Sequence, residues 1–412
     1  MMKSLAGFFG RTTAKPAGLI DVQQLMRGLS DADLLEAADA YFSQLTTDSE
    51  QCHKPFSNPG DAIHITRHLS LLLHAADIFP GADVLDFGCA TGWLTLALAE
   101  LGSNAVGVDI SPSAVALAEQ VKARHSGRPG ASSRFLAYDG QRLPIDDETL
   151  DRVVCFDAFH HVKDQAHVLR EFARVLRPGG RIAMVEPGPN HSRTPQSQME
   201  MTRYKVIEND IVMADIAAAA ASVGLCSPQM LVQFQTPTTV PLELFEQWSG
   251  PGLPEHDMHQ LLSRLKSELT NTQCFFITKG DVAPDSRHAG ALAADLHLVS
   301  VDAAPDSGQS AELRFQIRNT GEATWITEPG RAGQVNLGGQ LVGLDGSVID
   351  LNHGRYGLGV GKVMPGAQID LVIKVPRPTL AGAFLRFDLV SEQVAWFEQM
   401  GRSSLAEWRP AP

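Results

Sequence analysis

The sequence predicts a chain in three parts: a helical cap, a parallel-dominated α/β sheet and an all-β sandwich. Three observations lead there. Short apolar runs alternate with helix-periodic stretches from Ala82 to about Lys279, and that periodicity stops beyond about residue 295. Between them, the run "VLDF" passes through a glycine-bearing turn directly into an apolar-periodic helix.

The parts follow in order. Residues 1–78 read as helices: "SDADLLEAADAYFSQL" starts on Ser30 with Asp33 three positions on, and "AIHITRHLSLLLHAADI" follows the turn "SNPGD". Lys54 and Phe56, in "QCHKPFSNPGDAIH", sit between turn formers and suit a lid. At the extreme N-terminus, Lys3, Arg11, Lys15 and Phe8-Phe9 suit a frayed end better than a membrane contact. Residues 79–280 carry the alternation through "ADVLDFG", "NAVGVDI", "DRVVCFD", "GRIAMVEP", "MLVQFQT" and "QCFFITKG". Residues 281–295 are small, polar and turn-rich, and read as a linker. Residues 296–412 are short strands divided by N-T-G, L-D-G-S and M-P-G turns, the pattern of a β-sandwich.

Composition narrows the function. A net charge of -13 argues against a sequence-independent grip on nucleic acid, which needs a basic face. Cys52, Cys89, Cys155, Cys226 and Cys274 are odd in number and lack C-x-x-C spacing, so neither a disulfide framework nor a metal knuckle is expected. A cytoplasmic protein without a membrane span is the expectation.

The turn after "VLDF" narrows it further. Gly88, Ala90 and Gly92 form G-x-A-x-G, without the last glycine of a dinucleotide fingerprint and without the Lys of a P-loop. Asp86 stands at the end of the preceding run, and Asp109 lies 21 positions after Gly88, near the spacing of a carboxylate that takes ribose hydroxyls. Such acidic surroundings suit an uncharged or cationic nucleoside such as a sulfonium. Gly88 and Gly92 also suit a plain tight turn, Asp109 a helix cap, and Asp139 a surface turn.

With these residues in order, residues from about 82 to 280 resemble the class I S-adenosylmethionine-dependent methyltransferases, particularly the "methyltransferase domain 11" type. "VLDFGCATGWLTLAL", "VGVDIS", "AYDGQRLPIDDETLDRVVCFDAFHHV" and "EFARVLRPGGRIAMVEP" carry the resemblance. It implies a Rossmann-like seven-stranded sheet and S-adenosylmethionine as cofactor. It further implies that Gly88 and Gly92 let backbone pass the cofactor, Asp109 takes the ribose, Asp139 and Gly140 face the adenine, and Asp86 orients the methionine amine. Cys89, Ile110 and Phe156 complete the expected cofactor set. Ala90 departs from the family's usual glycine; if that position needs a positive φ, alanine there costs about 1 kcal/mol.

Methyl transfer to a hydroxyl needs a base, and His160, His161 and His191 are the candidates, on loops that follow apolar strands. His160 is the first choice. Glu186 either orients a base or caps the turn before Pro187. Asp157, His160 and Glu186 lack metal-ligand spacing, so no metal is expected. The C-terminal part resembles immunoglobulin-like modules of bacterial surface-polysaccharide machinery, such as the glycan-reading domains of O-antigen export ATPases. By that likeness Trp325, Tyr356, Trp396 and Phe397 would stack on sugars, with Arg355 or Arg386 donating to hydroxyls, although Trp325 and Trp396 also suit a sandwich core. The expected function is therefore O-methylation of a sugar hydroxyl in a surface polysaccharide or its precursor. The alternatives are a small-molecule methyltransferase (lipid, quinone or secondary metabolite) that uses the sandwich to form a homo-oligomer, and a non-catalytic glycan-binding or assembly protein.

Overall fold

The computed structural model describes residues 18–125, 127, 132–232, 242, 246, 259, 262, 263, 271–303, 310–329, 332–377 and 382–410. The terminal Lys3, Phe8, Phe9, Arg11 and Lys15, and the end of the run 230–236, lie outside these residues. The chain divides into two compact units, Met1–Ile78 with Ala82–Val282, and Phe79–Gly81 with Ala283–Pro412.

In the first unit, α1 (Val22–Gly28) precedes α2 (Asp31–Phe42), where Ser30 and Asp33 close a reciprocal capping box. The "SNPGD" turn is shorter than expected. Asn58 caps the Asp61 amide and Pro59 opens α3 (Pro59–Ala76), because a proline at the first helical position lacks only an N–H that has no partner there anyway. Where α3 ends, the buried Arg152 guanidinium takes the Ala76 and Asp77 carbonyl oxygens at 2.6 and 3.2 Å.

The sheet is built by β1 (Asp83–Phe87), β2 (Asn104–Asp109), β3 (Ser132–Ala137), β4 (Leu150–Phe156), β5 (Leu176–Pro187), β6 (Gln229–Leu231) and β7 (Thr272–Thr278). Their order is β3-β2-β1-β4-β5-β7-β6, parallel from β3 to β5, with β7 antiparallel to β5 and β6. This is the Rossmann-like seven-stranded sheet. Around it lie α4 (Trp93–Glu100), α5 (Pro112–Arg124), α6 (Gln165–Val175), α7 (Pro195–Tyr204) and α8 (Met213–Ser222). Leu85, Val106, Val153, Phe172, Ile182 and Phe275 are among the fully or almost fully buried core side chains.

The strand order reverses between β1 and β4, and in such sheets ligands bind outside the carboxyl ends of the strands at that reversal. The helical cap is fastened to that edge. The Gln51 carbonyl accepts from Thr91 Oγ1 after β1, Asp39 accepts from Ser111 Oγ and the Ser113 amide after β2, and Asp31 accepts from Gln141 Nε2 after β3. The Leu29 carbonyl accepts from Lys163 Nζ after β4. The cap is thus part of the first unit.

In the second unit, β8 (Ala294–Ala303), β9 (Ser310–Asn319) and β14 (Gln368–Pro376) form one antiparallel sheet in the order β14-β9-β8. β10 (Trp325–Ile326) pairs with β13 (Lys362–Val363). β11 (Val335–Gly343), β12 (Val348–Gly357), β15 (Ala383–Ser391), β16 (Ala395–Trp396) and β17 (Ala406–Trp408) form another. The two larger sheets share a core in which the Phe315 and Phe387 rings lie 5.0 Å apart.

The linker expected over 281–295 is corrected from residue 283 onward. Asp285 bridges to Thr324, the buried Ser286 exchanges hydrogen bonds with Gly333, Ile326 and Ser391, and Leu292 is fully buried. Small polar residues read as linker because their buried hydrogen bonds leave no hydrophobic period.

Candidate functional site

The turn after β1 is shaped by what its glycines lack. Gly88 has φ +74°, and a Cβ there would lie 2.5 Å from the Ala158 Cβ. The loop after β4 therefore packs directly on the turn. Gly92 has φ +82°, and a Cβ there would lie 2.6 Å from the Phe135 ring. Ala90 also takes a positive φ, +48°, where an L-residue with a Cβ is strained.

Asp109, buried at the end of β2, accepts from the Ala90 and Ser111 amides at 2.9 Å each, one on each carboxylate oxygen. Burial raises its pKa, and these backbone bonds oppose the shift. Asp86 is buried deeper: Thr95 Oγ1 donates to it at 2.7 Å, and burial pushes its pKa up to about 7. It thus answers α4 through Thr95. Asp139 is exposed and accepts from the Gln141 and Arg142 amides, which lower its pKa. Gly140 follows with φ +82° and open space where a Cβ would be. Cys89 is buried against Leu96, Ala118 and Phe135, while Ile110 packs partly on the main core. Phe156, at the end of β4, meets Trp93 edge to face at 5.3 Å.

The three histidines come together. His160 and His161 lie in a short 3-10 turn after β4, His191 in another after β5, and the ring centroids are 4.0 Å apart in a tilted pair (160–161) and 4.8 Å apart edge to face (160–191). What gathers them is a buried carboxylate with no motif around it. Glu208 Oε2 is 2.7 Å from His191 Nε2 and 3.9 Å from His160 Nε2, and its Oε1 is 3.4 Å from His161 Nδ1. Although burial opposes it, the His191 hydrogen bond and the surrounding imidazoles lower the pKa of Glu208. Burial and the Glu208 charge raise that of Glu200. Sequence reading missed both; the only signal was a charged "END" hemmed between Ile207 and Ile211.

Glu186, fully buried, caps the loop after β4 rather than the turn before Pro187. It accepts from the backbone amides of Ala158, Phe159 and His160, and from His160 Nδ1 at 2.8 Å. The first-choice base is thus held by Glu186 through its Nδ1. Burial alone would lower the pKa of His160, but the Glu186 bond and charge outweigh it and raise the value to about 9, so the ring stays protonated at neutral pH. His161 is the opposite case. Its side chain is 45% exposed, and its pKa is lowered by desolvation and by the neighbouring His160 charge. Its Nδ1 lies 2.6 Å from the Ile207 carbonyl oxygen, which only accepts, so Nδ1 carries the hydrogen and Nε2 keeps a lone pair. Two groups have metal-ligand proximity, Asp157 with His160 and Glu186, and His160 with His161 and Glu208. In the first, His160 and Glu186 are already hydrogen-bonded to each other.

The sugar-stacking set of the second unit is corrected too. Trp325 and Phe397 are fully buried, 5.4 Å apart edge to face, and Trp396 is buried with the Arg355 guanidinium 4.6 Å over its ring. Inward-facing positions of a two-sheet core call for large rings, which a sequence cannot tell from a ligand platform. Arg355 pairs with Glu392, Arg386 donates to Gln340, and Tyr356 is half-buried.

The chain is similar to known methyltransferases. The chain is 35% identical over 116 residues to methyltransferase GfsG of Streptomyces halstedii, spanning 28% of this chain and 41% of that protein. It is 30% identical over 150 residues to the demethylmenaquinone methyltransferase of Streptomyces griseus, spanning 36% and 58% respectively. The chain thus covers about half the length of the curated relatives it matches. A solved S-adenosylmethionine-dependent methyltransferase from Mesorhizobium loti superposes with a TM-score of 0.37 at 17% identity, over 52% of this chain and 96% of the other. Residues 85–184, from β1 through the turn, the His160–His161 loop and into β5, match the family model described as a methyltransferase domain, and this stretch of the chain carries such a domain.

Proposed function

We propose that the protein is an S-adenosylmethionine-dependent methyltransferase that alkylates a hydroxyl of a small molecule, with His161 as the base. The cofactor fits the residues present. Asp109 spends one bond on each carboxylate oxygen, leaving lone pairs for two ribose hydroxyls, and Gly140 leaves room beside Asp139 for a base edge. When bound, S-adenosylmethionine supplies a methyl group on a sulfonium. The rest is the chain's own work. Gly88 lets the β4 loop close on the cofactor turn, Asp109 and Asp139 orient the nucleoside, and Asp86 steadies α4 through Thr95. Cys89, Gly92, Ile110 and Phe156 shape the walls.

The observation that carries the base assignment is the Ile207 carbonyl on His161 Nδ1, since it leaves Nε2 as the proton acceptor. Glu208 stabilises the imidazolium that forms. His160 and His191 hold Glu208 in place.

A small-molecule acceptor is supported by the likeness to a demethylmenaquinone methyltransferase. A polysaccharide acceptor read by the second unit needs aromatic faces open to solvent, and of the four rings expected to supply them only Tyr356 is not buried. We read the second unit as an immunoglobulin-like assembly module. Incubating the protein with labelled S-adenosylmethionine and a panel of quinone head groups, nucleotide sugars and polysaccharide should label a small molecule. In the His161→Gln variant turnover should fall about 10²- to 10⁴-fold with cofactor affinity retained. Near-native turnover in that variant would remove the base assignment, and absence of cofactor binding would remove the reading itself.

A further inference from the structure

The loop after β4 holds a carboxylate with no partner of its own. Asp157 takes a left-handed backbone, φ +55°, which a residue with a Cβ adopts only where its surroundings enforce it. Here they do. Its amide donates to the Val185 carbonyl at 2.8 Å, Phe156 before it meets Trp93, and Ala158 after it lies where Gly88 lacks a Cβ. The carboxylate held this way is exposed; one of its oxygens, a ring nitrogen of His160 and an oxygen of Glu186 lie within 4.8 Å of one another, yet it makes no hydrogen bond or ion pair among the described residues.

A second acceptor lies within its field, on α3. His68 is half-buried, and its Nδ1 lies 2.9 Å from the His64 carbonyl oxygen, so Nδ1 carries the hydrogen and Nε2 keeps a lone pair, as in His161. Desolvation and the neighbouring His64 hold its pKa below the ordinary value, so the ring is neutral at neutral pH, although the Asp157 charge pulls the other way. The same charge bears on His160 and His161. Asp157 thus stands between α3 and the histidine cluster, on the loop that packs on the cofactor turn. His68 and Asp157 do not pair with each other among the described residues, so both keep lone pairs for an outside donor.

We propose that Asp157 and His68 bind a second hydroxyl of the methyl acceptor, and hence that the preferred acceptors are vicinal diols, aromatic or aliphatic, rather than isolated hydroxyls. The inference rests on the methyltransferase reading for the word acceptor. Two groups that only accept select a donor, and a hydrogen bond to a carboxylate is worth more than one between neutral groups. Asp157 stands four residues before His161 and its charge bears on that ring, which calls for two hydroxyls close together on the acceptor. With one of them on Asp157 or His68, the other is left for His161 Nε2. Both residues set specificity and register; neither takes the proton.

The test is calorimetric titration of the full chain, loaded with S-adenosylhomocysteine, with catechol against phenol and with vicinal cyclohexanediol against cyclohexanol; benzylamine is the cationic probe. At least one diol should bind about tenfold more tightly than its mono-ol, and that ratio should fall to about threefold or less in Asp157→Asn, where asparagine tolerates the left-handed backbone, and in His68→Leu. The ratio is the readout, because a variant that merely loosens the fold weakens diol and mono-ol alike. Saturation by none of the probes in the millimolar range, no diol preference in the unsubstituted protein, a ratio unchanged in either variant, or benzylamine binding more tightly than catechol overturns the proposal. S-adenosylhomocysteine titrated first into each sample reports folding of the variants and tests the underlying reading separately. If it fails to bind the unsubstituted protein, the methyltransferase reading fails, and the assignment of these hydroxyls to an acceptor falls with it.

Discussion

His160 and His161 are neighbours in sequence with opposite electrostatic lives. His160 is buried with Glu186 on Nδ1, and its pKa stands at about 9 against an ordinary 6.5. Because the folded state holds this proton more tightly than the unfolded chain, the stabilisation is complete below pH 6.5 and is lost as pH rises through about 9. A shift of that size corresponds to about 3 kcal/mol at about 1.4 kcal/mol per unit. Thermal unfolding followed between pH 6 and 10 should show that loss in the unsubstituted protein and not in His160→Gln. Parallel curves would mean that Glu186 does not charge the ring. His161, with its lowered pKa, should instead give an acceptor-turnover profile that rises as the ring deprotonates, with a midpoint below 6.5. That such different roles fall to adjacent residues could not be read from "FHHV", because the difference lies in Glu186 and Ile207, far along the chain.

At the scale of elements, the β1–α4 turn is where local conformation and close packing constrain the same residues. Gly88→Ala would set a Cβ at φ +74° and 2.5 Å from that of Ala158, so the β4 loop must move. The expected cost is about 2 to 4 kcal/mol in stability together with weakened cofactor binding, read by denaturant unfolding and calorimetry. Ala90→Gly is the reverse experiment. At φ +48° the glycine relieves strain, and it should leave stability unchanged or raise it by up to about 1 kcal/mol, even though glycine is more flexible when unfolded. A clear loss of stability in Ala90→Gly would show that the methyl contributes packing that outweighs its backbone strain. The turn, the Ser30 capping box and the alternating strands were legible, since each is encoded within a few residues. The start of α3 at Pro59 and the ordered stretch from 283 were not, because proline and small polar residues serve turns, helix starts and buried bridges alike.

For the whole molecule, each of the two units has its own core, one around Leu85, Phe172 and Phe275, the other around Phe315, Trp325 and Phe387. Every residue proposed to touch the cofactor belongs to the first. A chain ending at Val282 should therefore fold and bind S-adenosylhomocysteine within about threefold of the full chain, as calorimetry would read. Loss of binding on truncation would show that the first unit depends on the second. Sedimentation of the same truncated chain tests the assembly role: if the full chain is oligomeric, the shortened one should be monomeric, and an unchanged association state would remove that role.

What the sequence determined by itself was the α/β and all-β architecture, and the glycines and carboxylates of the turn, because hydrophobic periodicity and turn chemistry are local properties of neighbouring residues. The tertiary structure decided which nitrogen of His161 keeps a lone pair. His161 and Ile207 are 46 positions apart, and Glu186 and Glu208 approach the β4 loop only after β5 and the segment beyond α7 have packed against it. A carboxylate in a loop has no period to betray its partner. Its role is set by burial and by the few ångströms between side chains that chain closure alone brings together.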